Sequence, residues 1–382
     1  MNRRRYVTVN GSTEVDCKAF ITPEQYLREH AERIESPRGP LLVASCRSGS
    51  GLGAKVVERY RELLSASGVG RRVPHLDQID FQFSDGETCV RLDSDVSGHD
   101  VFLLQALYDP LSGRSVDQNY MALLIAARAL REWGASRVTG ILPYLAYARQ
   151  DKPTKLEREP TTAELMADLS IEAGLDRVVV WHPHTGSTRG FYGSVPVDSL
   201  SPLPMVVSNY RRYANEDEVI AVAPDTGASK LVMRVARALG ISSAISSKYR
   251  PRPEEAEVSE IMGDFRGKRA AIILDDMINT GGTVEATSIK LVEETDIREL
   301  YIAVSHNLCS AQALERLSCL HEDYGLREVM ITDSIPQAQG FRDLPFLKIH
   351  SLADSLARVV NRIHYNRPVS GTLARTAPEK EG

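Results

Sequence analysis

Apolar runs of strand length alternate with longer segments of helical period along most of the chain. Leu41-Leu42-Val43-Ala44-Ser45 precedes a helical segment over 52–66, and Val101-Phe102-Leu103-Leu104 precedes one over 117–134. Val138 to Leu142 is followed by a helix over 161–173, and Val178-Val179-Val180 closes the first half. The second half repeats the rhythm, with strands predicted near 219–223, 270–274, 300–304 and 328–332 and helices between them. Such alternation predicts parallel sheets covered by helices, in two tandem α/β domains. The Gly- and Pro-bearing stretch 186–196 puts the boundary near Val197-Asp198. The expected layout is an extension over 1–38, a first α/β domain over 39–197 and a second over 198–362. A tail over 363–382 is expected to pack back on the first domain and then fray from about Ala374.

Composition narrows the class. A chain of 382 residues exceeds one ordinary core and suits two domains. Hydrophobic residues make up 42% and charged residues 25%, the balance of a soluble globular protein. The net charge of -5 gives no general electrostatic reason to expect nucleic acid or an anionic membrane as a partner. No apolar run approaches the ~20 residues of a spanning helix. The basic start Met1-Asn2-Arg3-Arg4-Arg5 lacks the apolar stretch of a secretory signal. Cys17, Cys46, Cys89, Cys309 and Cys319 are scattered, odd in number and without a CxxC pair. They fit reduced thiols in a cytoplasm better than a disulfide framework or a zinc site.

In open parallel sheets, ligands gather at the carboxyl ends of strands, so unusual residues there are the candidates for chemistry. The sharpest pattern is Ile272-Ile273-Leu274-Asp275-Asp276-Met277-Ile278-Asn279-Thr280-Gly281-Gly282-Thr283. The adjacent carboxylates of Asp275 and Asp276 can accept hydrogen bonds from two vicinal ribose hydroxyls. The loop Thr280 to Thr283 offers backbone amides, two hydroxyls and a helix N-terminus, which make a phosphate cradle. An acidic turn with a Thr cap is the plain alternative. Arg149 can fork onto phosphate oxygens while Gln150 and Asp151 add polar contacts, although alone the triplet reads equally as a solvated turn. His182 and His184 stand at i and i+2 after a strand, which suits a metal or a hydrogen-bonded pair. Asp225 suits a helix cap. Ser247-Lys248-Tyr249-Arg250-Pro251-Arg252-Pro253 reads by composition as a mobile basic loop. Gly49-Ser50-Gly51-Leu52-Gly53 imitates a dinucleotide fingerprint, but its third glycine comes too early, so it predicts a strand-to-helix turn.

The segment ending in Thr283 resembles the phosphoribosyl-binding signature of the phosphoribosyltransferase superfamily. Within that superfamily the chain resembles the ribose-phosphate pyrophosphokinases. Phe81-Gln82-Phe83-Ser84-Asp85-Gly86-Glu87-Thr88-Cys89-Val90 is similar to their ATP-adenine loop, and Pro143 to Lys152 to their second nucleotide segment. Lys248-Tyr249-Arg250 is similar to their Lys-x-Arg loop. The likeness runs from about residue 40 to 373, through smaller echoes at Ser305-His306, 332–337 and 368–370. It implies two tandem phosphoribosyltransferase-like domains, each a mostly parallel sheet flanked by helices. It also implies transfer of a diphosphate from ATP to carbon 1 of ribose 5-phosphate, with release of AMP. On this resemblance Phe83, Asp85, Glu87, Arg149, Gln150, Asp151 and His184 bind ATP. Asp275, Asp276, Asn279, Thr280, Gly281, Gly282 and Thr283 hold the ribose phosphate, and Lys248 and Arg250 are catalytic. His184, Asp225 and His182 fall at the metal, Mg²⁺ with Mn²⁺ as an alternative. A cytoplasmic homo-oligomer built from dimers, as in hexamers, is implied too, and Ser48 and Ser50 become candidates for an allosteric phosphate.

Two positions depart from the family pattern. Asn279 stands where the family usually has a third Asp, and His182 where it has the Asp of a metal triplet. Imidazole is a poorer ligand than carboxylate for Mg²⁺. The stretch 107–117 is longer than the usual family loop. These departures keep other readings open: the same chemistry on another ribose 5-phosphoester such as ADP-ribose, or a non-catalytic regulatory homologue. A phosphoribosyltransferase is a further alternative, opposed by the ATP-like segments of the first half.

Overall fold

The structure is a computed structural model in which residues 6–8, 14–16, 21–154, 157–252 and 255–369 are described, with side chains at 6–8, 14–16, 29, 247–252 and 255–259 left aside. A short ribbon of β1 (Tyr6–Thr8) and β2 (Glu14–Asp16) precedes α1 (Pro23–His30). The first half then runs β3 (Glu35–Ser36), β4 (Gly39–Ser45), α2 (Ser50–Ala66), β5 (His75–Leu76), β6 (Asp80–Gln82), β7 (Thr88–Val90) and β8 (Asp100–Leu104). It continues with α3 (Val116–Glu132), β9 (Arg137–Leu142), α4 (Thr162–Ala173), β10 (Arg177–Trp181), α5 (Thr188–Phe191) and β11 (Val197–Leu200). The first sheet has the order β11-β10-β9-β8-β4-β3, with β5 also on β4, and only β3 pairs antiparallel. β6 and β7 form a separate antiparallel hairpin.

The second half comprises α6 (Leu203–Asn209), β12 (Val219–Ala223), α7 (Ser229–Leu239), β13 (Ser242–Arg252), β14 (Glu255–Met262), β15 (Ala270–Ile278) and α8 (Gly282–Glu294). It ends with β16 (Glu299–Asn307), α9 (Ala311–Asp323), β17 (Leu326–Thr332), α10 (Gln339–Arg342), β18 (Leu347–His350) and α11 (Ala353–His364). Its sheet has the order β14-β13-β12-β15-β16-β17-β18, parallel except at β13–β14. Every residue of β8 and of β12 is buried, as a strand covered on both faces requires. The predicted α/β class and the two mostly parallel sheets are what the structure contains.

The Gly49–Gly53 run is a tight strand-to-helix turn, and close packing explains its glycines. A Cβ on Gly49 would lie 2.4 Å from the Leu104 carbonyl, and one on Gly53 2.0 Å from Ser45 Oγ. No described helix is long and apolar enough to cross a membrane.

Four sequence expectations change. β11 pairs with β10 in the first sheet, so the chain leaves that sheet after Leu200 and not at 197–198. α11 lies inside the range expected for the second domain, yet Leu356, Val360 and Ile363 pack with Val56, Val57 and Tyr60 of α2 against the first sheet. Its apolar stripe matches the face of the first sheet that α2 alone leaves uncovered. Likewise Ile34 is buried and β3 adds to β4, so residues just before 39 belong to the first core. Finally, the basic stretch expected as a loop is the far arm of β13, zipped antiparallel to β14 with a register shift at Ser247/Lys248. Mutual backbone pairing, which composition does not reveal, makes that arm extended.

Candidate active site

In the second sheet the chain leaves β12 for β13 on one side and returns in β15 on the other, so the carboxyl ends of β12 and β15 flank a topological switch point. Asp225 follows β12, and Asp275 and Asp276 stand near the end of β15. Asp225 Oδ1 accepts from the amides of Gly227 (2.9 Å) and Ala228 (3.2 Å), which shapes the turn that leads into α7. Asp276 N–H donates to Asp275 Oδ1 at 2.9 Å. The chain then turns through Asn279 and Thr280 into α8, with Gly281 at φ +79, a left-handed conformation that favours glycine.

The carboxyl ends of β9 and β10 from the first sheet face this edge. His184 Nδ1 lies 2.6 Å from Asp276 Oδ2, across 92 residues of chain. That hydrogen bond raises the His184 pKa, against the opposing effect of burial. Burial by itself pushes the Asp276 carboxyl up, but the His184 bond and the surrounding imidazoles outweigh it and hold the group below its ordinary value. Arg149 and Asp151 lie near enough to bias His184 in opposite directions. Asp151 also accepts from Ser187 Oγ at 3.0 Å.

His182 behaves differently from its neighbour. Its Nδ1 is 2.6 Å from Ser305 Oγ on β16, and its carbonyl is 3.1 Å from His306 Nε2. Burial pushes its pKa down to about 4, so it is a neutral ring that ties the two sheets together. The backbone at His182 has φ +41, a strained setting for a residue with a Cβ. His306 is itself buried, with its Nδ1 2.8 Å from Ser334 Oγ and its ring 5.1 Å edge-on from that of Tyr144. Ser305 and His306 complete this seam; in the sequence they appeared only as a small family echo after an apolar strand.

The predicted site residues thus fall into three groups. Arg149, Asp151 and His184 meet Asp276 at the seam, while Gln150 is exposed and fixes the turn through its backbone, donating to the Tyr147 carbonyl at 2.8 Å. Phe83, Asp85 and Glu87 sit on the β6–β7 hairpin, with Phe83 packed edge-on to Phe81 at 5.4 Å. No described hydrogen bond, ion pair or ring contact joins those three to the seam within one chain. Lys248 and Arg250 lie on β13 with side chains outside the described set. Since Ile245 pairs with Ala223, the last residue of β12, both positions overshoot the carboxyl edge on the Asp225 side. Ser48 and Ser50 lie elsewhere, donating to Asn119 Oδ1 and Asp77 Oδ2, both at 2.9 Å.

Comparison with known proteins settles the family. A family model for the N-terminal domain of ribose phosphate pyrophosphokinase matches residues 41–174, and one for the phosphoribosyl transferase domain matches 206–340. The ribose-phosphate pyrophosphokinase of Clostridium acetobutylicum is 38% identical over 290 residues, covering 76% of this chain and 86% of the relative. This chain belongs to the ribose-phosphate pyrophosphokinase family. Ribose-phosphate pyrophosphokinase A of Dictyostelium discoideum is 33% identical over 77% of this chain and 89% of its own length. The crystal structure of phosphoribosylpyrophosphate synthetase from Mycobacterium smegmatis aligns with a TM-score of 0.72 at 31% identity, covering 85% of this chain and 98% of that one.

The donor set also bears on a metal. Among the described residues no three His, Cys, Asp or Glu side chains converge into a cage, so His182, His184 and Asp225 are not a ready-made ligand set. Mg²⁺ does not require such a cage, since it keeps several waters and is held by one or two carboxylates together with substrate phosphates. His182 suits Mg²⁺ poorly, because its Nδ1 is engaged with Ser305 and imidazole is a poorer ligand than carboxylate for that ion.

Proposed function

We propose that this enzyme transfers the β,γ-diphosphate of ATP to the C1 hydroxyl of ribose 5-phosphate. The C1 oxygen bonds to the β-phosphorus, the bond from that phosphorus to the α-side oxygen breaks, the hydroxyl proton is released, and AMP leaves. The observation that supports the reading is the 2.6 Å contact between His184 and Asp276, which joins the strand ends that carry the two sets of residues.

In this reading Asp275 and Asp276 accept hydrogen bonds from the ribose hydroxyls, and the amides and hydroxyls of Thr280 to Thr283 receive the 5-phosphate. Asn279 stands in the same loop. Arg149 forks onto nucleotide phosphate, with Gln150, Asp151 and His184 around it. Phe83, Asp85 and Glu87 would receive the adenine, and their separation from the seam within one chain favours completion of the site by a second copy in an oligomer. Mg²⁺ would be held by Asp225 and by phosphate oxygens, near His184, and would neutralise charge on the transferring group. Lys248 and Arg250, carried past the sheet edge on β13, supply further cations to the same oxygens. Ser48 and Ser50 remain candidates for a regulatory phosphate.

Asn279 favours testing a second acceptor, since replacing an acid with an amide removes a negative charge beside the 5-phosphate. AMP release should be followed with ATP, Mg²⁺ and either ribose 5-phosphate or ADP-ribose. Faster release with ribose 5-phosphate supports the main reading. Release with ADP-ribose alone would transfer the proposal to the larger acceptor, and no release with either would leave a regulatory homologue.

A further inference from the structure

Behind the Thr280–Thr283 loop stands the first half of α9, and it grips the loop by successive carbonyls. Ser310, which caps α9, donates from Oγ to the Asn279 carbonyl at 2.6 Å. Arg316 Nη1 donates to the Thr280 carbonyl at 2.8 Å, and its Nε pairs with Glu285 Oε2 on α8, also at 2.8 Å. Packing is close here: a Cβ on Gly281 would lie 3.5 Å from Ala313 Cα, and one on Gly282 3.0 Å from Arg316 Nη1.

A trans peptide is planar, with its C=O and N–H pointing opposite ways. No peptide bond here is cis. Holding the carbonyls of Asn279 and Thr280 toward α9 therefore aims the amides of Thr280 and Gly281 away from it, into the mouth of the loop. Glycine at 281 and 282 leaves that loop intrinsically free, so an outside grip is needed to fix the amides before a ligand arrives. Preorganised donors bind an anion better than donors that must be ordered by it.

We propose that Arg316 is a positioning residue for the sugar phosphate. It reaches the 5-phosphate only through the loop, by locking the 280–281 peptide with one arm while Glu285 holds the other. This rests on the reading of the loop as the ribose-phosphate cradle. A merely structural Arg316 would tie α8 to α9 and affect both substrates alike through stability.

The test uses the full chain with Arg316→Met, Arg316→Lys, Gly282→Ala and the double variant Arg316→Met/Gly282→Ala. The expected result for Arg316→Met is a KM for ribose 5-phosphate raised roughly tenfold, the scale of one charge-assisted hydrogen bond. Its KM for ATP should stay within about twofold. Arg316→Lys, able to reach Thr280 but not Glu285 together, should recover part of the loss. Gly282 lacks a positive φ, so Gly282→Ala disturbs mainly the guanidinium. Its effect on the ribose 5-phosphate KM should vanish in the Arg316→Met background. An unchanged ribose 5-phosphate KM in Arg316→Met, or an equal rise in both KM values with a lowered Tm, would overturn the proposal. Calorimetric binding of ribose 5-phosphate separates the two layers of argument. A wild type that binds but does not turn over refutes the proposed function alone, and equal binding by Arg316→Met refutes this inference.

Discussion

Arg250 is the residue on which the proposed chemistry leans hardest. Arg250→Ala should reduce turnover by about 10³-fold while ATP binding changes little, because an arginine at the transferring phosphoryl group acts mostly in the transition state. Single-turnover rates beside nucleotide titrations would check this, and a full-speed variant contradicts the assignment. The histidines make a second prediction. His182 and His306 have pKa values lowered by burial, His182 to about 4. The folded protein thus resists protons that the unfolded chain takes up near pH 6.5. Their contribution to stability is full above that pH and is lost as the pH falls toward about 4. Urea unfolding at steps between pH 7 and 4 should show this loss, and His182→Gln should flatten it. The loop Thr280 to Thr283 was legible in the sequence because its chemistry is local. The His182–Ser305 and His184–Asp276 contacts were not, since their partners stand 123 and 92 residues apart.

At the scale of elements, the apolar strands were readable because burial on both faces leaves little but Val, Ile, Leu and Ala in them. The elements that sequence missed lack that signature. β18 has only partly buried or exposed residues, and β13 and β14 carry a polar, charged arm whose order comes from pairing. The 107–117 stretch shows a further long-range dependence. Arg114, at the foot of α3, makes a short ion pair with Asp80 at the start of the β6 hairpin, and both side chains are almost completely buried. Asp80 also accepts from the Arg47 amide at 2.5 Å. The 107–117 stretch thereby fixes the base of the hairpin that presents Phe83, Asp85 and Glu87. Arg114→Met should destabilise the protein by about 3–5 kcal/mol, since it strands a buried carboxylate. Arg114→Met with Asp80→Asn should recover much of that loss. Chemical denaturation of the single and double variants checks both, and a single variant as stable as wild type would contradict the strut.

Across the whole molecule, the chain closes on itself through α11. Its apolar stripe covers the first sheet beside α2, and its last turn brings His364 Nδ1 within 2.9 Å of the buried Asp100 carboxylate, which Arg38 also holds at 3.0 Å. Leu356→Ala should therefore cost about 2–5 kcal/mol although it lies far along the chain from the sheet it covers. That closure, together with the His182–Ser305 and His184–Asp276 contacts, is what joins the two tandem domains along one seam. Pyrophosphoryl transfer at that seam is the central claim, and the identity of the nucleotide product tests it most directly. Chromatography of the nucleotides formed from ATP, Mg²⁺ and ribose 5-phosphate should show AMP, in equal amount to phosphoribosyl pyrophosphate and only when the sugar is present. ADP as the product, or ATP left unchanged while the sugar is bound, would contradict the account.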